Sequence, residues 1–324
     1  MNKFKSMLAV AFTLALAGFA PGSLAQQENL PPLIRVIIPF GTGTSPDVLG
    51  RVTASQLGTR LGVTTVVENR SGGSTIIGAA AVVQGPRDGS MILVTSSSTY
   101  TAVASLKVVP FDTNRDLMPI AMLGDGPMMV TASAKSGIRS VADLVARARA
   151  KPDEITYGSS GIGSIAHLAV ELFADAAKIK VKHIPYKSAA FALTDLNGGT
   201  IDFLLGSNTT FSSSIQSGRV IAIALTSRQP SPAFPNLPTM GSVAPGYWAS
   251  NWVAAFASSG ITPAMAQRLN REINEIGKSK EVMTILQNND ASPLSLSLDE
   301  LRTRMREELA NWVRVVTVNK IVME

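Results

Sequence analysis

The sequence predicts an α/β protein of two lobes, each a mainly parallel sheet flanked by helices, with a cleft between them. Three observations carry this expectation. Short apolar strands alternate with helical stretches, the pattern of parallel sheets. The alternation runs through two series and returns at the end of the chain. The length left after an N-terminal leader, 299 of 324 residues, suits two domains or one large one.

The leader is read first. Met1 to Lys5 is a short basic start, and Met7 to Ala20 is an uncharged apolar run of signal-peptide length. Pro21-Gly22 break any helix, and Ser23-Leu24-Ala25 place small residues where a peptidase cleaves, so residues 1–25 are expected to be a signal peptide. A membrane anchor would need about 20 apolar residues. No cysteine occurs anywhere, which excludes a lipid anchor through cysteine, disulfides and thiolate metal sites together. The expected location is the periplasm, as a soluble protein.

The first strand is Leu33 to Pro39, followed by a Gly/Thr/Ser loop and a helix from about Asp47 to Leu61. Thr64 to Glu68 is the next strand, leading to a small-residue helix, Thr75 to Gln84. Met91 to Thr95 is strand again after the turn at Arg87-Asp88-Gly89. A second series begins near Pro119. It contains strands at Met128 to Ala132, Ile155 to Gly158, Val181 to Tyr186, Ile201 to Leu205 and Val220 to Leu225. Its helices are Ser140 to Ala150, Ile165 to Ala177 and Ala189 to Asn197, the last stopped by Gly198-Gly199. Pro230 to Pro245 reads as a surface segment between lobes, and Asn251 to Ala257 as a last strand. From Pro263 onward the chain reads as helical, with Leu301, Met305, Leu309 and Trp312 on one face. The lobes are accordingly placed at 26–124, 125–249 and a return to the first at 250–324.

Composition restricts the chemistry. The net charge of +6 falls to +4 without Lys3 and Lys5, and it is spread along the chain. That suits anionic solutes, but no basic run or aromatic set suits nucleic acid. His167 and His183 are the only histidines, so a multi-histidine metal centre is not expected. No cofactor is expected either. Gly161-Ile162-Gly163-Ser164-Ile165-Ala166 matches a dinucleotide fingerprint in form, yet the following strand ends Tyr186-Lys187 without an acid for a ribose. Neither a nucleophile elbow nor a phosphate-binding Walker loop is present.

Two loops stand out as binding elements: Phe40-Gly41-Thr42-Gly43-Thr44-Ser45-Pro46-Asp47 and Gly158-Ser159-Ser160-Gly161-Ile162-Gly163-Ser164. Each joins a strand to a helix, where glycines admit close approach and free N–H groups attract a carboxylate. Each could equally be a tight turn with a cap. Asp47 could face a ligand or cap its helix. Weaker candidates are the stretch Ser96 to Tyr100, with Ser97 as the contact, and Ser207 after Gly206. Ser164 and His167 are spaced to touch on a helix, which leaves a hydrolase open, although no third group orients the imidazole. On the binding reading, Gly163→Val should block an anion without unfolding the domain.

The chain resembles the substrate-binding proteins of tripartite tricarboxylate transporters, the Bug family of periplasmic receptors. The resemblance rests on Tyr157 to Ser164 with His167-Leu168 and Glu171-Leu172-Phe173, on His183 to Lys187, and on Ala192 to Leu196 with Gly198-Gly199. Val67 to Arg70, Asp88-Gly89, Leu225 to Arg228 and Leu237-Pro238-Thr239 also match. It implies a two-lobed periplasmic binding protein fold without catalysis, delivering a carboxylated solute to membrane carrier subunits; a monomer is expected. A sensor of the same build would share that cleft. The resemblance further implies that Phe40 to Asp47 and Ser159 to Ser164 hold the carboxylate, partly through waters. Besides the missing Glu after Pro238-Thr239, with Ser242 near its place, three departures stand out. Thr44 replaces a glycine, Ser74-Thr75 replace two more, and Gly206 stands where many relatives carry Asp. The last departure is expected to favour a plain acid, aromatic acids included, over an amino acid.

Overall fold

The computed structural model describes residues 30–288 and 290–323. The signal peptide expected at residues 1–25 lies outside the described residues. Among those described, no helix is long and apolar enough to cross a membrane.

The chain from Pro31 onward is one compact unit containing two sheets. The first series gives β1 (Leu33–Ile38), α1 (Ser45–Leu61), β2 (Thr64–Asn69), α2 (Ile76–Val83), β3 (Met91–Ser96), α3 (Ser97–Ser105), α4 (Thr113–Asp116) and β4 (Leu117–Asp125). The second gives β5 (Met129–Ser133), α5 (Val141–Ala150), β6 (Thr156–Ser159), α6 (Ile165–Ala177), β7 (Lys182–Pro185), α7 (Ala189–Gly198), β8 (Phe203–Gly206), α8 (Asn208–Gln216) and β9 (Val220–Leu225). The return comprises β10 (Val253–Ser258), α9 (Pro263–Gly277), α10 (Lys280–Gln287), β11 (Ser292–Leu294) and α11 (Leu298–Val318).

The sheets are mixed rather than mainly parallel. In the first, ordered β11-β4-β10-β3-β1-β2, only β1, β2 and β3 pair in parallel. The returning strand β10 inserts between β3 and β4, antiparallel to both. In the second, ordered β7-β6-β8-β5-β9, the entering strand β5 lies antiparallel to β8 and β9, while β6, β7 and β8 are parallel. A strand that arrives directly from the other sheet has no crossover helix, so nothing obliges it to run parallel.

Local differences from the expected elements have local causes. The run Ser96 to Tyr100 is the start of α3, because the Ser96 hydroxyl accepts the Ser98 N–H and caps it. The Ser/Thr-rich α8 is likewise capped by Ser207. β4 carries Pro119 inside a sheet, and the register with β10 shifts at that point, where proline has no N–H to offer. The C-terminal region is not continuously helical, since Ser292–Leu294 pair with β4. On α11, Leu301, Met305 and Trp312 are buried as expected, whereas Glu308 is buried and Leu309 only half-buried.

The strand registers fix how the sheets face. Val253, which opens β10, pairs with Ser96 at the end of β3 and with Gly124 near the end of β4. Met129, which opens β5, pairs with Gly206 and Leu225, the last residues of β8 and β9. Both chain crossings therefore leave from the edges where the parallel strands end. The carboxyl edges of the two sheets face each other.

The crossings are clipped together by Thr226, which is fully buried. Its hydroxyl accepts the Met128 N–H (2.8 Å) and donates to Ala249 O (2.7 Å). Its backbone N–H donates to Met128 O, and the Ala249 N–H donates to Thr226 O. The Asn251 N–H donates to Gly126 O at 2.9 Å.

Candidate ligand site

Six helices begin at the facing edges: α1, α2 and α3 on the first sheet, and α6, α7 and α8 on the second. Their N-terminal amides and dipoles favour an anion between the sheets. Which side chains are left to meet that anion depends on how each loop is tied.

In the loop after β1, Asp47 is only 2% exposed and binds its own loop. Its carboxylate accepts the Gly43 N–H (2.8 Å), Asn69 Nδ2 (2.7 Å) and Arg51 Nε (3.1 Å). Burial opposes its charge, but these donors outweigh burial and hold its pKa below the ordinary value. Asn69 also donates to Phe40 O, so β2 braces the loop. Between the capping and ligand-facing roles, Asp47 takes the structural one. Gly43 has φ +81°, the left-handed region. Thr44 is extended at φ −72°, so the threonine in place of glycine is unstrained, and its hydroxyl donates to Gly41 O. Gly41, Thr42, Gly43 and Thr44 remain exposed at the edge, and Phe40 is half-buried.

The loop before α2 behaves differently. Ser74 and Thr75 hold φ of +51° and +82° where relatives are expected to have glycines. The backbone keeps a glycine-like path through non-glycine residues, at a cost of about 1–3 kcal/mol each. The Thr75 hydroxyl, buried against Thr99 at 2.8 Å, contributes to holding it there.

In the loop after β6, Ser159 is fully buried. Its hydroxyl donates to Gly161 O (2.9 Å), accepts the Gly161 N–H (3.1 Å) and meets His183 Nε2 at 2.7 Å. Gly163 is buried as well. Its N–H donates to His167 Nδ1 at 3.0 Å. A Cβ on it would lie 2.6 Å from Met323 and 3.0 Å from Ser105, and its φ is +74°. Packing against α3 and the chain's end therefore requires that glycine. Ser164 is half-buried and caps α6 by accepting the His167 N–H. Gly161, at φ +125°, stays half-exposed beside exposed Ser160 and Ile162.

The two histidines stack with ring centroids 3.8 Å apart. Burial depresses both, His167 to about 3 with a further push from His183, and His183 to about 4. Two neutral rings can stack where two cations would repel. Because Nδ1 of His167 is taken by the Gly163 amide and the Ser164 hydroxyl is a cap, the two do not form a base–nucleophile pair.

Ser97 is fully buried, its hydroxyl donating to Asn251 Oδ1 at 2.9 Å, so it ties α3 to the second crossing. Ser207 caps α8 and shares hydrogen bonds with the Thr209 and Thr210 hydroxyls. A Cβ at Gly206 would lie 2.9 Å from the buried ring of Phe211, so an acidic side chain there would displace it. Sequence reasoning missed the bracing roles of Asn69 and Arg51; the Asn69-Arg70 pair was the visible signal.

A cavity of about 640 Å³ lies elsewhere, beside the crossings and α11. Asp125, Arg228, Trp248, Arg304, Glu308 and Trp312 help line it. Arg304 pairs with Asp125 at 2.6 Å, and Arg228 lies 4.1 Å above the Trp248 ring. Buried Glu308 accepts from both Trp252 (2.6 Å) and Trp312 (3.2 Å) through one oxygen, leaving the other without a partner. Desolvation pushes its pKa up to about 7. None of the expected binding residues lines this cavity.

Residues 49–321 match the family described as tripartite tricarboxylate transporter family receptor. The chain is 34% identical over 319 residues to Protein BugT of Bordetella pertussis, covering 98% of each. Among solved structures it is similar to Rpa4515 of R. palustris with adipate (TM-score 0.78, 26% identity, 91% of this chain and 99% of that one). It is also similar to the periplasmic binding protein BugD (TM-score 0.74, 25% identity, 90% and 99%).

Proposed function

The chain belongs to the tripartite tricarboxylate transporter family of receptors, and on that premise we propose that it binds a small carboxylate between two lobes and delivers it to membrane carrier subunits. The observation that carries this is the convergence of six helix N-termini on the facing carboxyl edges. A carboxylate there meets aligned amides and positive dipole ends from both sides. The adipate bound to Rpa4515 supports the same solute class.

The lobes would comprise residues 26–124 with 250–324, and 125–249, turning about the crossings at Thr226. Contacts would come from the exposed Gly41 to Thr44 segment on one side and from Ser160, Gly161 and the α6 start on the other. Asp47, Ser97, Ser159 and Gly163 act behind them by setting loop shape. The protein would work in the periplasm as a monomer after loss of residues 1–25. It would carry out no chemistry, since Ser164 and His167 are engaged separately.

A thermal-shift screen of Gln26 to Glu324 against di- and tricarboxylates, aromatic acids and amino acids tests this. An acid at 100 times its Kd stabilises by about 2.7 kcal/mol, which should raise Tm by several degrees at roughly 2–4 °C per kcal/mol. Failure of every acid to shift Tm, with native mass spectrometry showing empty protein, would overturn the proposal.

A further inference from the structure

The cavity beside the crossings, at about 640 Å³, has the size of a small-molecule site, and carboxylate binding between the sheets makes no use of it. Its walls come from both crossings, Asp125 to Pro127 on one and Ser227-Arg228 with Trp248 to Ser250 on the other, and from α11. Leu172 of α6 adds a further wall.

Unsatisfied polar groups gather here. Among the described residues nine buried side-chain oxygen or nitrogen atoms lack a hydrogen-bond partner, and four of them belong to residues lining this cavity. They are Asp125 Oδ1, Ser250 Oγ, Arg304 Nε and Glu308 Oε2. Ser250 and Glu308 are each only 9% exposed, so bulk water does not compensate them. Folded proteins leave few such groups without partners, and a cluster of them marks a place where another molecule supplies what the chain does not.

The exposed part of the lining carries uncompensated charge of both signs. Among the described residues Arg228, laid over the Trp248 ring, has no carboxylate partner, and Glu307 on α11 has no cationic one. Ordered water satisfies lone pairs and hydroxyls but leaves these charges unneutralised. A dianion would meet Asp125, Glu307 and Glu308, and a polyamine or metal ion would meet Arg228 and Arg304. A molecule with one positive and one negative group suits both sets. The free oxygens of Asp125 and Glu308 and the Glu307 carboxylate are acceptors for an ammonium, and Arg304 Nε and the Arg228 guanidinium are donors for a carboxylate. Pro127, Leu172, Trp248 and Trp312 supply apolar wall for the remainder of such a molecule.

We propose that this cavity is a second ligand site, taking a small zwitterion of the free amino acid kind that bridges the second crossing to α11. It shares no lining residue with the loops at the facing sheet edges and is independent of what binds there. Calorimetric titration of Gln26 to Glu324 with leucine, phenylalanine and glutamine tests it. Each is compared with its N-acetyl derivative, which lacks the ammonium, and its amide, which lacks the carboxylate. At least one of the three should bind, with both of its derivatives at least about tenfold weaker. Arg228→Gln and Glu307→Gln, both at exposed positions, should each weaken that amino acid about tenfold while leaving Tm of the free protein unchanged. Thr42→Trp, which crowds the exposed edge of the first sheet, should leave its affinity unaltered. Absence of binding by all three, a derivative as tight as its parent, full affinity in both glutamine variants, or loss of binding in Thr42→Trp each overturns the inference. The receptor reading stands through any of these outcomes, because it rests on acids raising Tm.

Discussion

Replacing Glu308 by glutamine should make the protein progressively more stable than the wild type as pH rises from 5 to 8. The carboxyl is buried under Trp252 and Trp312, with Arg304 favouring its charge and Asp125 opposing it. Desolvation dominates and moves its pKa from 4.5 to about 7. The folded protein therefore keeps a proton that the unfolded chain releases above pH 4.5. The associated stability is fully present below that value and is lost as pH climbs through about 7. At about 1.4 kcal/mol per pH unit, the interval from 4.5 to about 7 corresponds to roughly 3 kcal/mol. Glutamine keeps the shape and an oxygen for the indoles but has no proton to lose. Urea unfolding of both proteins, followed by tryptophan fluorescence at half-unit pH steps, gives the difference in stability. Groups common to both, including the histidine pair, cancel in that difference. It should grow with pH and level off above 7. A difference that stays flat, or shrinks as pH rises, would refute the reasoning, since it would mean the indoles and Arg304 compensate the buried charge.

Thr226→Val keeps the shape of the clip but leaves the Met128 N–H and Ala249 O without their side-chain partner in a fully buried place. It should cost about 2 kcal/mol or more in urea unfolding, and Thr226→Ser should restore most of it. Gly163→Val should lower stability by about 2–4 kcal/mol through overpacking and left-handed backbone strain. This replaces the sequence expectation that it would leave the domain folded. Met323→Ala in the same chain should recover part of the loss, as the added Cβ meets Met323 first.

The fold was legible where hydrophobic period and punctuation agreed. The apolar run at Leu33, the Gly199 stop after α7 and the Ser140 cap of α5 all specify their elements locally. Elements missed from the sequence lack a local signal. α3 and α8 are Ser/Thr-rich and stand because caps and burial override weak propensity. β11 is three residues long and exists only because β4 offers it an edge. The antiparallel insertions of β5 and β10 are decisions of long-range pairing, invisible to a window of residues.

The candidate site divides the same way. By itself the sequence determined that two Gly/Ser/Thr loops sit between strand and helix, because glycine and hydroxyl residues at such junctions have a fixed local chemistry. It also determined that no thiol chemistry is available, there being no cysteine. Only the tertiary structure decided which of those residues face outward. Asp47 is drawn inward by Asn69 from β2, Ser159 by His183 from β7, and Gly163 is pressed by Met323 from the chain's end. A buried polar group takes whatever partner the fold brings within 3 Å or so, and those of Asp47 and Ser159 arrive from 22 and 24 positions away in the chain, while Met323 presses on Gly163 from 160 positions away.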